Sequence, residues 1–198
     1  MSKDGIFPAL QRRKIMNTRK IVKAAFKLTA FSSMFFLQLV FAAPQGGNVV
    51  AGSAQISQTN NQTIINQSSQ NAVINWTGFN TASTESVQFN QPNNSAIALN
   101  RIMSGLPTNY SGALSANGQV WILNPSGVLF NSGSTVNVAG LLVTTHNITD
   151  GNFMAGNYQF NSVAGYENSK IINNGLISAK DSGIVVLVAP GVENNGVI

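Results

Sequence analysis

Cysteine is absent from this chain, and histidine occurs once, at His146. Disulfides, thiolate nucleophiles and cysteine metal sites are therefore excluded together. Charge is scarce as well: Asp, Glu, Lys and Arg make up 9% of the 198 residues. A catalytic or metal-binding role for His146 would need acidic or imidazole partners at close spacing, and only Asp150 is near, so it reads as a surface turn residue. No cofactor motif is present: no Gly-rich phosphate loop precedes a helix, and no credible Ser/His/Asp set forms around the one histidine.

The formal net charge of +5 would suggest nucleic acid if it were spread over the chain. It is not. Lys3, Arg12, Arg13, Lys14, Arg19, Lys20, Lys23 and Lys27 stand against Asp4 alone, whereas beyond them Arg101, Lys170 and Lys180 face Glu85, Asp150, Glu167, Asp181 and Glu193. The remainder is slightly acidic and offers no basic face to phosphates, so nucleic acid is excluded as a partner. The basic segment runs into an apolar stretch at residues 28–41 and then into Ala42 and Ala43, the layout of a signal peptide over residues 1–42. The apolar core is shorter than the roughly 20 residues a membrane-spanning helix needs. Cleavage after Ala42 sets Val40 at the third position back, smaller than the Phe41 that cleavage after Ala43 would set there. The basic region is long for an ordinary signal, and Met16 offers an alternative start.

Past a Gly-containing linker at residues 43–52, uncharged polar residues alternate with short β-branched and aromatic groups. The remaining length suits one domain. Short strands of this kind fit a sandwich, a barrel or a solenoid, and internal similarity decides between them. Ile-Asn-Asn-Gly-Leu-Ile at residues 172–177 recurs as Glu-Asn-Asn-Gly-Val-Ile at 193–198, a period of one coil of a parallel β-helix. The expected fold is all-β, a right-handed parallel β-helix (a single-stranded β-solenoid) over residues 53–198, with an amino-terminal cap and short extra β-hairpins. At about 21 residues per coil and about 4.8 Å between coils, roughly seven coils are expected. Asn suits the corners because it tolerates left-handed backbone and can bond to stacked neighbours. Stacked like charges would repel at strand spacing, which accounts for the scarcity of charge. The cap is expected at residues 55–80, with Trp76 and Phe79, and insertions or flanking strands at 108–116 and 149–167. The chain stops in mid-repeat at Val197 and Ile198, and continuation beyond it is expected.

Two motifs stand out. Asn124-Pro125-Ser126-Gly127 has the make-up of a type I β-turn at a coil corner, followed by the aliphatic run that begins at Val128. Residues 89–102, Phe-Asn-Gln-Pro-Asn-Asn-Ser-Ala-Ile-Ala-Leu-Asn-Arg-Ile, hold a turn and then a strand with Ile97 and Leu99 on one face. Asn100 is expected in an Asn ladder. Arg101 is the single cation between Lys27 and Lys170, and it reads either as a recognition residue or as one half of a salt link.

Together these stretches resemble the amino-terminal secretion domain of the filamentous haemagglutinin family, the large exoproteins of two-partner secretion. The family's usual turn is Asn-Pro-Asn-Gly, a signature of secretion competence; Asn124, Pro125 and Gly127 match it and Ser126 departs from it. The resemblance implies export by the general secretory machinery, signal cleavage, and recognition in the periplasm of a Gram-negative bacterium by an outer-membrane β-barrel transporter. The domain would then reach the medium or the cell surface. Two alternatives stand beside it. An adhesin would use an aromatic face such as Trp76, Phe79, Tyr110 and Tyr166 to hold a host-surface glycan or protein. A β-helix lyase or glycosidase would need clustered carboxylates, and the five acidic residues beyond the signal show no Asp-x-Asp cluster. The Asn-x-Ser/Thr sites are what composition alone would give.

Overall fold

The computed structural model describes residues 42–198, so the predicted signal peptide lies outside the described residues except for Ala42. Sixteen short strands and one helical turn follow. Two strands come first, β1 (Asn48–Ala51) and β2 (Ala54–Gln58), and then the coils begin with β3 (Gln62–Gln67) and β4 (Asn71–Trp76). The next coils comprise β5 (Ser86–Asn90), β6 (Ile97–Ile102), β7 (Thr108–Tyr110), β8 (Ala113–Ala116), β9 (Gln119–Leu123) and β10 (Val128–Phe130). After β11 (Thr135–Val138) and β12 (Gly140–Thr144) comes the helical turn α1 (Asp150–Met154), and β13 (Lys170–Asn173), β14 (Leu176–Ala179), β15 (Val185–Val188) and β16 (Gly191–Asn194) complete the order.

These strands form three sheets, in the orders β1-β4-β6-β9-β12-β15, β16-β13-β10-β7 and β14-β11-β8-β5-β3-β2. Each full coil contributes one strand to each sheet, and successive coils pair in parallel, as in Leu99 opposite Trp121 and Trp121 opposite Leu142. The chain is a β-solenoid. The repeat seen in the sequence is its coil: Asn173 lies in register with Asn194, and Asn173 Nδ2 donates to Asn194 Oδ1 across 21 residues at 2.8 Å.

Side chains pointing inward from the three sheets form the core, among them Ile65, Ile74, Val87, Phe89, Ile122, Val136 and Ile171. Along one corner the rings of Trp76, Phe79, Tyr110 and Phe130 follow one another with centroids 5.3, 6.0 and 6.0 Å apart. Burial of each such ring contributes about 1.5–3 kcal/mol. In the column that begins with Tyr110 and Phe130, the next two coils carry Asn173 and Asn194, so an aromatic stack passes into an amide ladder.

Four expectations change. The longest sheets hold six strands, with their first members antiparallel, where about seven coils were anticipated. Residues were absorbed by the cap and by an excursion between β12 and β13; Leu141 consequently pairs with Val185 rather than with a residue one repeat away. The cap starts earlier than residue 55: β1 lies within the stretch read as a linker and pairs antiparallel with β4, while β2 pairs antiparallel with β3. Residues 62–76, assigned to the cap, already form the first parallel rung. Residues 108–116 are not an insertion but the coil strands β7 and β8, and their brevity hid them. Of the two readings of 149–167, an insertion or flanking strands, the insertion is present, and it holds α1.

Candidate functional site

The corner at residues 124–127 is built as its composition requires. Gly127 N donates to Asn124 O at 2.9 Å and closes the turn. Asn124 Oδ1 accepts from Ser126 N at 3.0 Å, and its Nδ2 donates to Leu106 O at 3.0 Å and to Thr108 Oγ1 at 2.9 Å. Both polar atoms of this fully buried side chain are thus used, the oxygen within its own corner and the nitrogen to tie that corner to the preceding coil. Gly127 sits at φ +101°, and a Cβ there would lie 2.5 Å from Lys170 O in the following coil. Pro125 is half-buried and presets the turn. Ser126 Oγ, at the position that departs from the usual motif, has no hydrogen-bond partner.

All of β6 is buried, on both of its faces. Ala98, Asn100 and Ile102 alternate with Ile97, Leu99 and Arg101, as a strand dictates. Asn100 faces the solenoid interior opposite Ile74 and Ile122, so it belongs to no Asn ladder. Its Oδ1 accepts from Trp76 Nε1 at 3.0 Å, and its Nδ2 donates to Ala98 O and Trp121 O. It satisfies the polar atom of the largest ring in the core. The ladders are instead Asn173 with Asn194, Asn174 with Asn195, and Asn66 with Asn90.

Arg101 points outward and is nevertheless 9% exposed. Its Nη1 donates to Asn75 Oδ1 at 3.0 Å, Nε to Asn147 Oδ1 at 3.1 Å, and Nη2 to Ile148 O at 2.7 Å. Asp150 Oδ1 stands 2.7 Å from Nη1. That oxygen makes no aligned hydrogen bond, so its attraction is Coulombic. Of the two readings of Arg101, the salt link is the one the geometry contains.

His146 Nδ1 lies 3.3 Å from Thr144 Oγ1 in the turn after β12. The acidic residues are dispersed in small local roles. Glu85 Oε2 accepts from Ala82 N, Glu193 pairs with Lys170, and the backbone N–H of Gly165 holds the exposed Glu167 carboxyl below its ordinary range. Trp76, Phe79 and Tyr110 are core residues and present no aromatic face. Burial pushes the Tyr110 hydroxyl well above its ordinary range, and it donates to Ala113 O at 3.0 Å.

Residues 41–198 match the family described as the TPS secretion domain. The chain belongs to that family. Among relatives of this TPS domain, a heme/hemopexin-binding protein of Haemophilus influenzae strain Rd is 35% identical over 163 residues, which span 78% of this chain and 18% of that protein. Another heme/hemopexin-binding protein of Haemophilus influenzae is 38% identical over 118 residues, 59% of this chain and 13% of its own length. The chain thus spans less than a fifth of the curated relatives it matches. The solved HMW1 secretion domain from Haemophilus influenzae superposes with a TM-score of 0.71 at 34% identity, over 78% of this chain and 41% of that one. The TPS domain is therefore a secretion module carried on a β-solenoid.

Sequence reasoning missed that Arg101 is the anchor of the excursion between β12 and β13. The one signal available was the isolation of its charge, which forces any buried cation to find partners.

Proposed function

We propose that this TPS domain is the export address of a longer exoprotein. The general secretory machinery carries it across the inner membrane, cleavage follows Ala42, and the periplasmic domains of an outer-membrane β-barrel transporter select it for release at the cell surface. The observation that carries this reading is the family match over residues 41–198, which includes all of the solenoid. The physical chemistry supports it: a chain without cysteine can thread unfolded and then fold from contacts between neighbouring coils alone. Coils formed outside oppose back-sliding and template those that follow.

Asn124, Pro125 and Gly127 act in this reading through folding, since the buried amide of Asn124 has no group left for a transporter. Asn100 acts in the same way, by fixing β6 to β4 through Trp76, while Arg101 holds the segment between β12 and β13 to β6. The test is to express residues 1–198 in a Gram-negative host with and without the transporter encoded beside the gene and to assay the medium. Processed domain is expected in the medium only when the transporter is present. Retention of intact domain in the periplasm beside the transporter would overturn the reading.

A further inference from the structure

Residues 146–168 leave the solenoid after β12 and rejoin it before β13, and the coil register runs past them. Thr144 continues in register with Val188, and Val128 with Ile171, as if the excursion were not there. The excursion is closed on itself at its neck, where Asn147 and Asn161 exchange backbone hydrogen bonds of 2.9 and 2.8 Å. It then lies over the outer surface of the sheet that contains β4, β6 and β9. Ile148 and Phe153, with Phe160 beside them, cover Val73, Leu99, Trp121 and Leu123. Trp121 is packed by Phe153, Tyr158 and Phe160 at centroid distances of 5.6, 4.7 and 5.9 Å.

Most of the remaining attachment is polar and gathers at one side chain. Apart from Asn75, every partner of the Arg101 guanidinium belongs to this excursion: Asn147, Ile148 and Asp150. α1 begins at Asp150, capped by Thr149, so the ion pair also fixes where the helical turn starts.

We propose that residues 146–168 are a flap that opens as a unit without unfolding the coils, and that Arg101 is the positioning residue that latches it over an apolar strip. Lifting the flap uncovers Leu123 and the row Val73, Leu99 and Trp121, which sheet pairing holds together whether or not the flap is down. A neck closed on itself, a coil register that bypasses the segment and a single polar anchor are the features of a local opening unit. The inference concerns the folded domain and stands apart from the export reading, because its test needs no transporter.

Amide hydrogen exchange on the purified chain, with 1-anilinonaphthalene-8-sulfonate as the apolar probe, decides it. In the unsubstituted protein, amides of residues 147–160 are expected to exchange faster than those of β6, β9 and β13. Arg101→Met is expected to speed the flap amides by about tenfold or more and to raise probe emission, leaving the coil amides protected. Arg101→Lys, which keeps the charge and loses the fork, should fall between. If Arg101→Met does not fold, Asp150→Asn on the half-exposed side of the pair decides instead, with a smaller acceleration confined to the same amides. Flap and coil amides exchanging in one common class would overturn the flap. A flap rate unchanged by these substitutions would overturn the latch.

Discussion

Asn124 Nδ2 donates to Thr108 Oγ1 across 2.9 Å, and by that bond the corner of one coil grips the strand that begins the third side of the coil before it. Neighbouring coils are otherwise joined largely by backbone ladders, which do not distinguish one register from another. A buried side chain that bonds at a fixed height does.

Asn124→Ala is therefore expected to cost about 2–3 kcal/mol, because it removes two donated bonds and the turn acceptor from a dry site. Urea unfolding measures this as a lower midpoint at constant slope. Export should fall with stability. A variant of unchanged stability that is nonetheless retained in the periplasm would show that Asn124 meets the transporter.

Gly127 combines a left-handed backbone with the close approach of Lys170 O. Gly127→Ala is expected to destabilise by about 2–4 kcal/mol, the sum of backbone strain and an overpacked corner. Gly133 also has a positive φ, but nothing stands within 4 Å of its Cβ position, so alanine there should cost less; the two midpoints, compared in one denaturant series, test the steric part.

Asn100→Leu keeps the branched shape of the side chain, slightly enlarged, and deletes the acceptor for the Trp76 indole. A loss of about 1–3 kcal/mol is expected from the orphaned N–H. Indole emission, compared between Asn100→Leu and the unsubstituted chain, should change if Trp76 loses its partner, and an identical spectrum with identical stability would remove Asn100 from the role given to it here.

Tyr110 gives the pH dependence. Its hydroxyl holds its proton in the folded state beyond the point at which an unfolded tyrosine ionises, at about pH 10. Above that pH the unfolded chain binds fewer protons than the folded one, so stability falls as pH rises. Tyr110→Phe loses the bond to Ala113 O, yet its stability should decline less between neutral and strongly alkaline pH. Parallel curves for the two proteins would contradict the assignment.

The coil repeat was legible because Asn-Asn-Gly marks a place where backbone and stacked amides both demand particular residues, and Asn173 and Asn194 do pair. The turn at 124–127 was legible for the same reason. What escaped notice lay in the third dimension. Tyr110 sits in a strand of three residues, too short to show alternation, and its burial depends on Phe79 and Phe130 from neighbouring coils. Ile97 and Leu99 were correctly set on one face, but that this is the outer face, roofed by a distant segment, depends on Phe153 and Ile148, more than forty residues along the chain. The expected Asn ladder at Asn100 fails because this mid-strand amide points inward, where it meets an indole rather than another amide.

At the amino-terminal end of the stack, β1 and β2 run against the direction of every coil they cover. β1 is short and its register slips between Val49 and Ala51, while β2 presents Gln55, Ser57 and Gln58. Brevity, irregularity and polarity each discourage a further strand from joining. In the language of filaments, the domain is a seed whose amino-terminal end is blocked by β1 and β2.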